Sequence, residues 1–200
     1  MTRRTRFAVV AAAAAATLSA VATVAPASAA ELTIADARGD VWRETSSTAA
    51  ELSPTTVQGD LTRTVVRYKG GEVLVRLYFA DLRRKDAYEQ FAVRLQGKQG
   101  KVIRTVLVET SRRDPKGVHR VFNRSNSEVS CDAKHKVTYS TNRVTVKLDR
   151  DCLGSPGAVR VNVNAARATT THHKDSVFYF DSGHDTAAES AAWSDWVSRN

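Results

Sequence analysis

Two acidic turns and a scatter of strand arginines are the residues whose types and spacing could do chemistry. In Asp36-Ala37-Arg38-Gly39-Asp40 two carboxylates flank a glycine, and Gly59-Asp60 stands just before a strongly apolar run. Oxygen ligands presented by such turns suit calcium, which takes six to eight of them. Asp36, Asp40 and Asp60 are therefore the candidate ligands of a structural calcium, although the twelve-residue spacing of an EF-hand is missing. A plain glycine turn feeding the first strand is the other reading. The embedded Arg38-Gly39-Asp40 is also the tripeptide that integrins read, a triplet short enough to arise by chance. Asp181-Ser182-Gly183-His184-Asp185 is a second turn of the same kind, with a weaker claim.

Other chemistries find less support. His172 and His173 are adjacent, so on an extended chain they point to opposite sides and cannot share a metal as neighbouring strand ligands. His119, His135 and His184 are isolated in sequence, and zinc needs three or four ligands at recognisable spacing. They read as surface histidines in loops. The chain has no G-x-S-x-G elbow, no H-E-x-x-H and no P-loop. Paired carboxylates of the glycosidase kind are a spatial property that sequence does not expose. The expectation is a protein that binds rather than catalyses, with no cofactor beyond the candidate calcium.

The binding candidates are basic. Arg76, Arg94, Lys147 and Arg160 occupy the polar phase of four different strands, with Tyr78 two residues from Arg76. If those strands share a sheet, Arg76, Tyr78, Arg94 and Arg160 make a basic wall whose guanidinium forks match carboxylate and phosphate. A charged, solvated face without a ligand is the alternative. Trp42, Trp193 and Trp196 are either sugar-stacking platforms or core and edge residues.

The elements that must position these groups are strands. Val73, Val75, Leu77 and Phe79 alternate with Leu74, Arg76 and Tyr78; Phe91, Val93 and Leu95 with Ala92 and Arg94; Val144, Val146 and Leu148 with Thr145 and Lys147; Val159, Val161 and Val163 with Arg160 and Asn162. Period two marks a strand with one face in a core and one in water. Further strands are expected at 61–68, 101–110, 118–123, 135–141 and 177–181. Lys69-Gly70-Gly71 and Gly97-Lys98-Gln99-Gly100 read as hairpin turns, and Asp114-Pro115-Lys116-Gly117 and Thr141-Asn142 as tight turns. Nine or ten short strands at this spacing indicate an all-β, antiparallel sandwich of immunoglobulin-like or jelly-roll-like type. Residues 43–58, rich in Ser, Thr, Ala and Pro, read as a long loop with one helical turn near 49–52. Thr186 and Glu189 resemble a capping box opening a short C-terminal helix, with a closing strand through Trp196-Val197 as the alternative.

The N-terminus points to export. Arg3, Arg4 and Arg6 precede an apolar stretch from Phe7 to Val24, and Pro26-Ala27-Ser28-Ala29 ends it with small residues, the pattern of a signal peptide cleaved after Ala29. An uncleaved membrane anchor is the competing reading. Residues 30–200 would then form one extracellular domain with no membrane span. The chain has 30 Lys and Arg against 21 acids; without the leader's three arginines the formal charge falls from +9 to +6. Such a cation is drawn to anionic surfaces such as cell-wall polymers, acidic glycans, phospholipids or extracellular DNA, with no specific nucleic acid expected; a charge that only keeps the protein soluble is the alternative. The two cysteines, Cys131 and Cys152, should pair in an oxidising compartment, a bridge contributing about 3 kcal/mol.

The segments "DARGDVW", "GDLTRTVVRYKGGEVLVRLYFADL" and "VTVKLDRDCLGSPGAVRVNVNA" resemble a group of small secreted actinobacterial proteins of unknown function, from about Asp36 to Trp196. The D-x-x-G-D start followed by a paired hairpin is similar to DOMON and related carbohydrate-binding sandwiches. That likeness implies an immunoglobulin-like sandwich holding a sugar, or a haem in some relatives. Haem is disfavoured here, because the one methionine, Met1, leaves with the leader. The expectation is a secreted, monomeric, non-catalytic module for anionic or neutral cell-surface or environmental polysaccharide. The alternative is an envelope structural protein whose basic sheet face meets an acidic partner.

Overall fold

Period-two alternation becomes two packed antiparallel sheets. The computed structural model describes residues 31–45, 47–98, 102–170, 176–184 and 192–200. The expected leader, His172-His173, Asp185 and the Thr186/Glu189 box lie outside the described residues. In chain order the strands are β1 (Glu31–Ala35), β2 (Trp42–Thr45), β3 (Thr48–Leu52), β4 (Leu61–Lys69) and β5 (Glu72–Phe79). Then follow β6 (Tyr88–Gly97), β7 (Ile103–Thr110), β8 (Val118–Asn123) and β9 (Ala133–Thr138). The last are β10 (Arg143–Asp149), β11 (Ala158–Ala168), β12 (Val177–Ser182) and β13 (Val197–Ser198). The first sheet runs β1-β4-β5-β10-β9; the second runs β3-β2-β12-β11-β6-β7-β8, with β13 alongside β11.

The alternating positions form the core. Val73, Val75, Leu77 and Phe79 from the first sheet meet Phe91, Val93, Leu95, Val159, Val161 and Val163 from the second, all buried. Phe79 and Phe91 touch across the interlayer space with ring centroids 5.4 Å apart. Strand β4 carries apolar residues on both faces, and its register shifts between Leu61 and Arg63. That irregularity turns Thr64, Val66 and Tyr68 inward, and the Tyr68 hydroxyl donates to the Pro156 carbonyl at 2.6 Å. The polar end of a fully buried phenol thus keeps a hydrogen bond.

Where the chain passes between sheets, the crossovers carry the unusual residues. Residues 36–41 link β1 to β2, and 53–60 link β3 to β4. Cys131, just before β9, and Cys152, in a 3-10 turn (Arg150–Leu153) after β10, sit in two more crossovers. Their bridge is formed, with Cα atoms 5.7 Å apart, so one disulfide ties together two places where the chain changes layer.

Two local expectations are corrected. Residues 43–58 are not one loop with a helical turn: β2 and β3 form a hairpin there, paired Arg43 to Glu51 and Thr45 to Thr48. Every residue of β3 is exposed, so no apolar alternation could announce it. Residues 192–196 are not helical, and Val197 pairs with Val159 as a closing strand. Val197 is buried at its ladder position, so packing on the sheet sets the conformation there.

Candidate functional site

The outer face of the second sheet carries a layered array of cations and indoles. In β11, Val159, Val161 and Val163 point inward, which leaves Arg160 on the other face; in β6, Val93 and Leu95 point inward and leave Arg94 and Gln96 outside. Arg160 lies opposite Gln96, and Asn162 opposite Arg94. The C-terminal segment runs along the free side of the N-terminal half of β11. Ser194 N donates to Val161 O at 2.8 Å, Val161 N donates to Ser194 Oγ at 3.0 Å, and Asn162 Nδ2 donates to Ala192 O at 3.2 Å. With Val197 and Ser194 turned inward, Trp193 and Trp196 flank Arg160.

The resulting order is Arg94, Trp193, Arg160, Trp196, Lys98. The Arg94 guanidinium lies 5.4 Å from the Trp193 ring centre, Arg160 lies 5.0 Å from Trp193 and 4.9 Å from Trp196, and the Lys98 ammonium lies 6.0 Å from Trp196. These are cation–π distances, each worth about 0.5–1 kcal/mol at exposed positions. Gln96 Oε1 accepts from Arg160 Nε at 2.9 Å and holds the central guanidinium. Among the described residues no carboxylate pairs with Arg94, Lys98 or Arg160.

Arg76 and Tyr78 are not part of this face. They belong to β5, which pairs with β4 and β10 in the first sheet, so they point away on the opposite side of the sandwich. Lys147 is on that side too, paired with Glu72 at 2.7 Å, and Tyr78 lies 4.1 Å beneath the Arg63 guanidinium. The expected single wall of Arg76, Tyr78, Arg94 and Arg160 is therefore two half-walls back to back. Alternation shows which side chains leave the core, but not which sheet a strand joins. Trp193 and Trp196, readable only as platforms or core, supply the partners that complete the second half.

The acidic turns converge. Asp36, at the end of β1, and Asp40, in the following loop, meet Asp181 of β12, with one oxygen of each lying within 4.8 Å of the other two. Asp60 stands at the foot of β4 and accepts from Gly39 N at 3.0 Å. Asp36 Oδ1 accepts from His184 N at 2.9 Å, and Asp181 Oδ2 accepts from Leu61 N at 2.6 Å. Asp40, Asp60 and Asp181 are 4%, 1% and 1% exposed. Burial pushes the Asp36 carboxyl up to about 7 and that of Asp181 up to about 8, and raises Asp40 and Asp60 as well; mutual repulsion adds to Asp36, Asp40 and Asp181. Gly39 sits at φ +76°, in the left-handed region that favours glycine. The Arg-Gly-Asp triplet is thus a turn whose acid faces inward, out of reach of an adhesion receptor. The second acidic turn, the weaker candidate by sequence, supplies the missing wall.

The histidines also divide differently from expectation. His119 of β8 and His135 of β9 meet where the edges of the two sheets come together, Nδ1 to Nδ1 at 2.9 Å, and His135 Nε2 lies 2.9 Å from the Lys116 carbonyl. Burial, then the neighbouring ring, lowers the His119 pKa. Two nitrogens without a third ligand among the described residues make a clasp between sheets rather than a zinc centre.

Comparison with known protein families, with characterised proteins and with solved structures finds no match to this chain.

Proposed function

We propose that this chain is an exported, non-catalytic binding module that takes acidic polysaccharide on the outer face of its second sheet. The observation that carries this reading is the array of three cations and two indoles, with no carboxylate partner among the described residues. A uronate or sulfated sugar presents an apolar pyranose face and an anionic group. Trp196, 37% exposed, offers an indole for the former. Arg94, exposed on β6, and Arg160 offer forked donors for the latter. A guanidinium stacked on a ring keeps its in-plane N–H groups free to form paired bonds with a carboxylate. Packing on the indoles and the Gln96 bond hold Arg160 before any ligand arrives, which reduces the ordering cost of association. The net positive charge of the chain draws in polyanions from a distance.

Affinity electrophoresis and calorimetry of the leaderless chain against polygalacturonate, hyaluronan and a neutral β-glucan test the reading. Retardation by the two acidic polymers, weakening as salt rises, is expected. Arg94→Gln should weaken it by about ten- to a hundredfold, roughly one lost charge-assisted bond, with an unchanged melting temperature. Equal mobility with and without acidic polymer, or retention only on acidic proteins, overturns it.

A further inference from the structure

Three of the four neighbouring aspartates show the same division of labour: one oxygen tied to a backbone amide, the other without a donor. Asp36 gives Oδ1 to His184 N, Asp60 gives Oδ2 to Gly39 N, and Asp181 gives Oδ2 to Leu61 N. Among the described residues, Asp36 Oδ2, Asp60 Oδ1 and Asp181 Oδ1 have no hydrogen-bond partner, and neither oxygen of Asp40 has one. Five buried carboxylate oxygens thus lack a donor in one small region, whereas buried polar atoms are ordinarily satisfied. Asp40 decides the matter: it is 4% exposed, wholly unpaired, and one of its oxygens belongs to the set within 4.8 Å. Three buried carboxylates and a half-buried fourth, held on backbone amides, must either take up protons or be joined by a positive charge, and protonation alone leaves the Asp40 oxygens without partners.

We propose that Asp36, Asp40, Asp60 and Asp181 hold one calcium ion that staples the β1–β2 loop and the foot of β4 to β12. A separation of up to 4.8 Å between oxygens matches twice a calcium–oxygen distance of about 2.4 Å, so a single ion can touch Asp36, Asp40 and Asp181 together. The ligand set is all oxygen, which selects a hard cation over zinc or copper. Asp40, with both oxygens free, can bind through two atoms, a mode calcium accepts and the tighter magnesium octahedron resists. The backbone amides that grip the second oxygens of Asp36, Asp60 and Asp181 set the direction of the presented ones before the ion arrives. The ligands come from three stretches of chain that meet only in the folded sandwich, so the ion binds the native state and stabilises it by mass action.

Native mass spectrometry and thermal unfolding of the leaderless chain, stripped with chelator and then titrated with calcium chloride or magnesium chloride, test the proposal. One bound calcium per chain and a melting temperature raised by at least 5 °C at 1 mM calcium are expected, a range consistent with saturation well above Kd. The same concentration of magnesium should give less than half that rise. Asp40→Asn keeps the volume of the side chain and should weaken calcium binding at least tenfold. Should that variant fail to fold, terbium luminescence of the wild-type chain and its displacement by calcium give the same readout. A stripped wild-type chain that binds no calcium and melts identically with and without it overturns the proposal, as does an equal response to magnesium.

Discussion

The backbone amide of Leu61, the first residue of β4, donates to Asp181 of β12 at 2.6 Å, and this single bond joins the two sheets across 120 residues of sequence. It fixes the foot of one layer to the other beside the aspartate cluster. Asp181→Asn keeps an acceptor for the amide but removes a charge from the ion site. In chelator this variant should melt close to the wild type, and calcium should raise the wild type alone. Asp181→Ala also orphans the Leu61 amide and should cost about 1–3 kcal/mol in chelator as well. Urea unfolding of the three proteins with and without calcium checks both outcomes.

Gly39→Ala tests the turn that delivers Asp40. The residue sits at φ +76°, and an added Cβ would lie 2.8 Å from the Pro54 carbonyl oxygen. The left-handed backbone alone costs a side chain about 1–2 kcal/mol, and the Pro54 contact must also yield. A lowered melting temperature together with a weaker calcium response is expected, because the Gly39 amide also orients Asp60.

The Cys131–Cys152 bridge closes a loop of 21 residues in sequence separation. Cys131→Ser with Cys152→Ser should lower unfolding free energy by about 3 kcal/mol, mainly by freeing the unfolded chain. The urea midpoint should fall and the slope should rise, because the unbridged unfolded chain exposes more surface, and reduction of the wild type should reproduce both.

Glu89 carries a pH dependence of its own. It is 3% exposed on β6, and its Oε2 accepts from Thr110 Oγ1 at 2.8 Å and from the Tyr139 hydroxyl at 3.2 Å. Burial, reinforced by the charge of Asp86, outweighs those two donors and Arg167 and pushes its carboxyl up to about 7. The folded state therefore holds a proton that the unfolded state releases near 4.5. Its contribution to stability is present in full below that value and is lost as pH rises through 7. Relative to Glu89→Gln, the wild type should lose on the order of 2 kcal/mol between pH 5 and pH 8. Urea unfolding at three pH values in saturating calcium measures it, and parallel curves for the two proteins would refute the assignment.

Much of the fold is legible in the order of residues, and the reasons are local. Strand β8 lies at 118–123 as expected, and the cores of β5, β6, β10 and β11 fall on the alternating valines and leucines. The turn at 69–71 and the left-handed Asn142 between β9 and β10 stand where Gly-Gly and Thr-Asn place them. Strand β3 was illegible because nothing in it is buried, and β13 was legible only as the alternative to a helix until Val159 offers it a ladder. Asp36, Asp40 and Asp60 were candidate ion ligands by sequence and the Asp181 turn a weaker one; that Asp181 meets Asp36 and Asp40 depends on a contact between sheets.

The chain by itself therefore determined which side chains leave water and which stay in it, because strand geometry sends alternate residues to opposite faces whatever the strand's neighbours are. It equally determined that two cysteines and a cluster of turn acids were available. Only the tertiary structure decided that Arg76 and Arg160 face opposite ways, that Arg160 lies between two indoles, and that Asp181 closes a site begun at Asp36. Those outcomes depend on which strands pair and on where the crossovers land, and pairing partners are chosen by the packing of the whole sandwich rather than by any single segment.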